Sequence, residues 1–155
     1  MPQIDKDPMH SCPECGALLG TAEICEELFH AALDMEWENP LVTAAAHHLL
    51  VGTYMVQHPA GYTPEAQALF AAMVVTTVDE ELSADELRRR NRGRFEQQKR
   101  NWRMKVAEPQ EVRLRRWPMT IADVIDGPAV ELPQRVWQWA RSVRKELKQD
   151  TASVY

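Results

Sequence analysis

Two of the three cysteines fall in the run Cys12-Pro13-Glu14-Cys15-Gly16. Thiols spaced C-x-x-C, with the proline and glycine of a tight turn, form one edge of a tetrahedral zinc site, since zinc takes four nitrogen or sulfur ligands. Gly16 frees the backbone to turn sharply enough for amides to point at the sulfurs. A secreted disulfide framework would use an even and denser set of cysteines than three. A thioredoxin-type redox motif would follow a strand and open a helix, and no strand-like run precedes Cys12. The chemistry expected of this pair is therefore metal binding, with zinc as the cofactor.

Cys25 follows ten residues after Cys15 and stands as the third ligand. The fourth must come from the five histidines. If the helices holding Cys25 and His58 form an antiparallel hairpin turning near Asn39, Cys25 lies level with Tyr54. At a rise of about 1.5 Å per residue, His58 is then some 6 Å away along the axis, and His47 about 10 Å away in the other direction. His47 and His58 are themselves about 16 Å apart on a continuous helix, so they cannot share one ion. The expected ligand set is Cys12, Cys15, Cys25 and His58, with His10 and His47 left as alternatives for the fourth place. His30 falls off the ligand face, and one of His47 and His48 faces inward as a core histidine.

A second cluster is basic. Arg88, Arg89, Arg90, Arg92 and Arg94 are followed by Lys99, Arg100, Arg103 and Lys105, with Phe95 and Trp102 interleaved and Glu96 as the one acid. Such a face could neutralise phosphates while the rings stack on bases. The blander reading is a solvated helix face paired with Asp79, Glu80, Glu81, Asp85 and Glu86. Asp34, Glu36 and Glu38 read as a solvated run. Tyr54 and Gln57 flank His58 as groups that could orient its ring. No nucleophile elbow, P-loop, dinucleotide fingerprint or H-E-x-x-H motif is present.

The elements that position these residues are helical. Thr21 is a candidate N-cap for a helix to about Trp37, with Cys25, Leu28, Phe29, Ala32 and Met35 on one face. Asn39-Pro40 supplies N-cap and first position of a second helix reaching His58, where Pro59 ends it. Thr63-Pro64 repeats that signal for a helix over 64–82, which buries Leu69, Phe70, Met73, Val74 and Val78. Ser83 with Glu86 is a capping box for a fourth helix to about Arg103. Residues 105–119 read as an irregular connection. Thr120 caps a short turn over 121–125, and Leu132-Pro133 opens a last helix to about Lys148, with Val136, Trp139 or Ala140, Val143 and Leu147 inward.

Nothing alternates cleanly enough for a sheet, so the expected fold is all-α, a bundle of four to five helices with an N-terminal zinc knuckle. At 155 residues, with 45% hydrophobic and 26% charged residues, one domain over 1–155 is expected. Within it, 1–20 is the knuckle arm, 21–104 the bundle core, and 105–155 the connection with the C-terminal helices. The net charge of −5 gives no global pull toward nucleic acid or anionic membrane. No apolar run approaches the roughly 20 residues of a membrane span. The N-terminal residues lack the basic and apolar regions of a signal peptide, which gives a cytoplasmic expectation.

Several blocks together resemble a known family. They are CPECG, Cys25, His47 with Leu49, Val51, Tyr54 and Gln57-His58-Pro59, then Thr120-Ile121-Ala122-Asp123-Val124 and Trp139-Ala140-Arg141-Ser142-Val143. In that order they are similar to an uncharacterised bacterial domain-of-unknown-function family, over most of the chain. The resemblance implies no activity. Its pattern, roughly H-x-L-T-V-D-x-Y-x-x-Q-H-P, carries an aspartate where this chain has Gly52 and a threonine where it has Leu50. A catalytic role resting on that aspartate is absent here, which favours a structural metal.

The function expected is a small zinc-binding helical protein, with a structural metal and a binding or regulatory role toward a protein partner. One alternative is a metal-dependent enzyme on a DinB-like bundle using His47, His48 and His58. The other is a nucleic-acid-associated protein using the face from Arg88 to Lys105.

Overall fold

The computed structural model describes residues 10–98, 105, 106, 108 and 110–152, with the side chains at 41–44, 93–98, 151 and 152 outside the described part. Among the described residues six α-helices run in chain order: α1 (Cys25–Glu38), α2 (Pro40–Gln57), α3 (Pro64–Glu80), α4 (Ala84–Gln98), α5 (Ile121–Val124) and α6 (Leu132–Ala152). Single 3₁₀ turns at Pro59–Gly61 and Ala129–Glu131 lead out of α2 and into α6. The described residues hold no strand, only isolated bridges pairing Ser11 with Leu18 and Tyr62 with Lys105. The fold is all-α, as the periodicity predicts, with α5 a single turn beside five longer helices. No helix of the described residues is long and apolar enough to cross a membrane.

Local chemistry sets most of the helix ends. Thr63 accepts a hydrogen bond from the Ala66 amide at 3.3 Å, and Pro64 occupies the first turn, where its missing N–H costs nothing. Ser83 and Glu86 form the reciprocal capping box of α4, at 3.1 and 3.2 Å. Asn39 stands before Pro40 as expected, but its amide reaches back to the Met35 carbonyl at 3.0 Å, closing α1 rather than opening α2. The start of α1 differs from expectation. The helix begins at Cys25, not after Thr21, because the Glu27 carboxylate folds back to accept the amides of Glu23 at 2.6 Å and Ile24 at 3.2 Å. These bonds satisfy N-terminal donors that a Thr21 cap would otherwise serve.

Helix α2 is central and packs against α1, α3, α4 and α6. Leu49, Leu50, Val74, Val136, Trp139, Ala140 and Val143 join Ile121, Val124 and Leu132 in one buried cluster. Cys12, Cys15, Ala17, Leu19 and Cys25 belong to that same cluster, so the knuckle is part of the core rather than an appended arm. Burying each large apolar side chain contributes about 1.5–3 kcal/mol. Trp139, fully buried, also gives its indole N–H to the Met119 carbonyl at 3.1 Å, and Gln57 gives its amide to the same oxygen at 2.8 Å. Those two bonds tie the connection before α5 to both α2 and α6.

Three contacts fix the α1–α2 hairpin. Glu36 meets His47, Phe29 stacks on Tyr54, and Cys25 lies with His58. Moving from 36 to 29 to 25 along one helix is matched by moving from 47 to 54 to 58 along the other, which is an antiparallel pair in constant register. Cys25 therefore lies opposite His58, one turn beyond the Tyr54 level expected from a turn at Asn39. The axis of the hairpin falls between residues 41 and 42.

Candidate metal centre

The knuckle is a short two-armed turn. Ser11 bridges Leu18, the Cys12 amide donates to the Ala17 carbonyl at 2.8 Å, and the Leu19 amide donates to His10 at 2.8 Å. The Gly16 amide closes the turn onto the Cys12 carbonyl at 3.0 Å. Gly16 has φ +79°, a left-handed conformation that a residue with a Cβ adopts at a cost of about 1–2 kcal/mol. The turn is bolted to its surroundings on both sides. The Glu14 carboxylate accepts the Ala60 amide just past α2 at 3.0 Å, and the carbonyls of Glu14 and Cys15 accept the amides of Arg115 and Trp117 at 2.8 and 3.4 Å.

This arrangement brings Cys12, Cys15, Cys25 and His58 together. All four are buried, and their ligand atoms lie within 4.8 Å of one another. The Cys12 sulfur is 3.7 Å from His58 Nε2, and the sulfurs of Cys15 and Cys25 are 3.7 Å apart. Tetrahedral Zn–S bonds of about 2.3 Å imply S···S edges of about 3.8 Å, so these separations fit a four-coordinate ion at the centre. The four donors could hold a metal ion.

The imidazole is already oriented for that purpose. His58 Nδ1 donates its hydrogen to the Tyr54 carbonyl at 2.7 Å, which leaves Nε2 facing the sulfurs. The Tyr54 ring stacks on His58 with centroids 4.1 Å apart, and Phe29 stacks on the far face of Tyr54 at 4.1 Å. It is thus the Tyr54 carbonyl and ring that place His58, and Gln57 turns away to Met119.

Electrostatics within the cluster are strongly coupled. Hydrogen bonds first from Cys15 and then from Cys25 push the Cys12 thiol far below its ordinary pKa, while Cys25, sharing its hydrogen with Cys12 and Cys15, is pushed far up. Burial opposes a charge on His58, but hydrogen bonds to Cys12 and Cys15 overcome it and raise its pKa to about 10. Without an ion, hydrogens are thus shared among the clustered sulfurs and the imidazole. A divalent cation would replace those protons, because thiolates and a neutral imidazole are the ligating forms.

The other histidines stand elsewhere. His10 is exposed and bonds the Glu23 carbonyl at 2.9 Å, and His30 lies against Glu26 at 3.6 Å. His48 Nε2 meets the Leu82 carbonyl at 3.1 Å, and burial lowers its pKa. His47 Nδ1 lies 2.8 Å from Glu36, whose side chain is 6% exposed while that of His47 is 50% exposed. Glu36 corrects the reading of Asp34, Glu36 and Glu38 as a wholly solvated run. Its place one turn beyond Ala32 on the buried face of α1 was the available signal. Gly52, where the resembling pattern has an aspartate, faces α3: a Cβ there would meet Val74 Cγ2 at 3.5 Å.

The basic residues stand on α4. Arg88 pairs with Asp85 at 3.2 Å, and Arg90 makes a two-point pair with Glu80 whose longer contact is 2.8 Å. Arg89 and Arg92 are exposed. The side chain of Arg94 and all of Lys99, Arg100, Trp102 and Arg103 lie outside the described residues.

The sequence model of a family described as "Family of unknown function (DUF5946)" matches residues 10–148, a span that includes all four cluster residues. No curated protein matches the chain, and no solved structure does.

Proposed function

For this chain, which belongs to the Family of unknown function (DUF5946), we propose a role as a zinc-stapled binding or regulatory module, with no chemistry at the metal. The observation that carries this reading is the closed set of four buried donors, Cys12, Cys15, Cys25 and His58, around one centre. Three thiolates and one imidazole are soft to borderline ligands, which suit zinc and not magnesium or calcium. Catalytic zinc sites keep a position open for water or substrate, whereas Cys₃His is one of the closed structural sets. The ion would join three elements at one point: the knuckle, the first residue of α1 and the end of α2.

The consequence is stability. Zinc held this way contributes about 10–16 kcal/mol to folding in the smallest metal-dependent domains, and a chain with its own core needs only part of that. The protein purified under reducing conditions is expected to contain one zinc per chain, with three thiols protected from alkylation until a chelator is added. Chelation should lower the melting temperature. A chain that holds no zinc, and whose melting temperature does not rise when zinc is supplied, would rule this reading out.

A further inference from the structure

Beside the knuckle the chain makes an extended run. Residues 110–117 pass without a turn, bend or helix. The amides of Arg115 and Trp117, two residues apart, donate to the knuckle carbonyls of Glu14 and Cys15 at 2.8 and 3.4 Å. Their side chains, with those of Glu111 and Arg113, line two neighbouring clefts at the α2–α3 junction; Gln110, at the start of the run, borders the shallower one. On the other side, Leu114 Cδ1 and Arg116 Cγ lie 3.9 and 3.6 Å from where a Cβ on Gly16 would stand. From 111 onward the side chains thus alternate with the period of two of a β-strand.

In an extended chain the N–H and C=O of one residue point to the same edge, and those of the next residue to the opposite edge. With Arg115 and Trp117 turned to the knuckle, Val112, Leu114 and Arg116 turn their backbone groups away from it. Those amides and carbonyls take no hydrogen bond among the described residues. All three residues are exposed, Val112 at 47% and Leu114 at 51%, so this edge is open. An open edge carrying apolar side chains is a template for one more strand.

Charge narrows which strand fits. Arg115 is held by Asp150 at 2.6 and 3.1 Å, but Arg113 and Arg116 form no ion pair among the described residues. Glu111 is the one acid in residues 110–117. A second copy paired antiparallel about Leu114 would set Arg113 of one copy opposite Arg115 of the other, and like charges directly opposite are unfavourable. The phosphates of a nucleic acid would accept from the arginines but give nothing to the carbonyls of the edge.

We infer that the edge at Val112, Leu114 and Arg116 captures an extended acidic segment of another protein as an added strand. The segment's backbone pairs with the open amides and carbonyls. Its apolar side chains lie beside Val112 and Leu114 on one face, and its acids lie beside Arg113 on the other and Arg116 at the end. The inference rests on the zinc-staple reading in one respect: the run hangs on the knuckle that the ion would hold in place.

Fluorescence anisotropy of the full, zinc-loaded chain tests it with a labelled, end-blocked octapeptide alternating valine with glutamate. Binding is expected below about 1 mM. Of two peptides methylated on the valine or on the glutamate nitrogens, one should bind at least about tenfold more weakly, because only one set of amides faces the edge. Leu114→Pro deletes an amide that the fold leaves unused, at an edge position where proline is tolerated. It should weaken binding at least about tenfold while the chain keeps its zinc, and Arg113→Glu, on an exposed side chain, should act likewise. No binding at about 1 mM would overturn the inference. So would equal binding of the parent and both methylated peptides, or binding unchanged in Leu114→Pro. A wild-type dimer made monomeric by Leu114→Pro would overturn it in favour of a second copy, and oligothymidylate bound more tightly than the peptide would do so in favour of nucleic acid. A chain that holds zinc but not the peptide defeats the edge alone, and one that binds the peptide without holding zinc defeats the staple alone.

Discussion

His58 gives its Nδ1 hydrogen to the carbonyl of Tyr54, one turn earlier on α2, at 2.7 Å. That bond settles which imidazole nitrogen faces Cys12, and it comes from backbone that no side-chain substitution at position 54 removes. The His58 ring therefore presents Nε2 to the sulfurs, the nitrogen through which it could bind an ion.

Removing either of the ligands that come from helices should release the metal. His58→Ala and Cys25→Ser each leave three donors, and each is expected to weaken zinc binding by about 100-fold or more, since even the partners that orient a ligand are worth 10–100-fold. Both variants should melt earlier than the wild type. Competition with a chromogenic chelator, followed by a thermal melt, checks the two effects on the same samples. His10→Ala should change neither, because the His10 ring is exposed and bonds the Glu23 carbonyl, away from the four clustered donors.

The Tyr54 ring contributes by stacking between His58 and Phe29, each at 4.1 Å. Burial holds its phenol well above the ordinary pKa, so the hydroxyl stays protonated at any working pH. Tyr54→Phe should keep the stack and the zinc affinity. Tyr54→Leu should lose about 0.5–1.5 kcal/mol of ring stacking beyond its lost area, and loosen zinc by up to tenfold. Chemical denaturation with parallel zinc competition separates the two variants.

Glu36 predicts a pH dependence. Burial raises its pKa above 4.5, and the hydrogen bond and charge of His47 only partly offset this. A carboxyl with a raised folded pKa contributes stability that is fully present below its unfolded value and is lost as pH rises through the folded one. Glu36→Gln removes that loss, so the variant should gain on the wild type as pH rises from about 4.5 toward neutrality. Urea midpoints measured at intervals from about pH 4 to 7 give the test; a gap between the two proteins that stays constant would contradict it.

Gly16 is a backbone requirement, not a space requirement. A Cβ there would find Arg116 Cγ at 3.6 Å, an ordinary contact, but φ is +79°. Gly16→Ala should cost about 1–2 kcal/mol from the left-handed conformation. Gly61→Ala, at a position with open space and no positive φ, should cost far less. Melting temperatures of the two zinc-loaded variants make the comparison.

The centre was legible in the sequence to the extent that its parts are local or periodic. Cys12 and Cys15 share one turn, and helical counting carried Cys25 and His58 to the same end of a hairpin. The register was missed by a turn, because the axis of α1 against α2 is set by side-chain packing such as Phe29 on Tyr54 and not by where Pro40 begins a helix. Thr21 has the chemistry of a cap, yet Glu27 outcompeted it by reaching back to two amides. Glu36 and His47 escaped because a carboxylate on a buried face looks polar until its partner on another helix is known.

The central claim is that Cys12, Cys15, Cys25 and His58 enclose one zinc ion. X-ray absorption at the zinc edge of the purified chain addresses it most directly. A closed site predicts three sulfurs at about 2.3 Å and one nitrogen at about 2.0–2.1 Å, with one sulfur lost from the shell in Cys25→Ser and the imidazole contribution lost in His58→Ala. A first shell of oxygens and nitrogens with fewer than three sulfurs, or a wild-type shell unchanged in either variant, would contradict it.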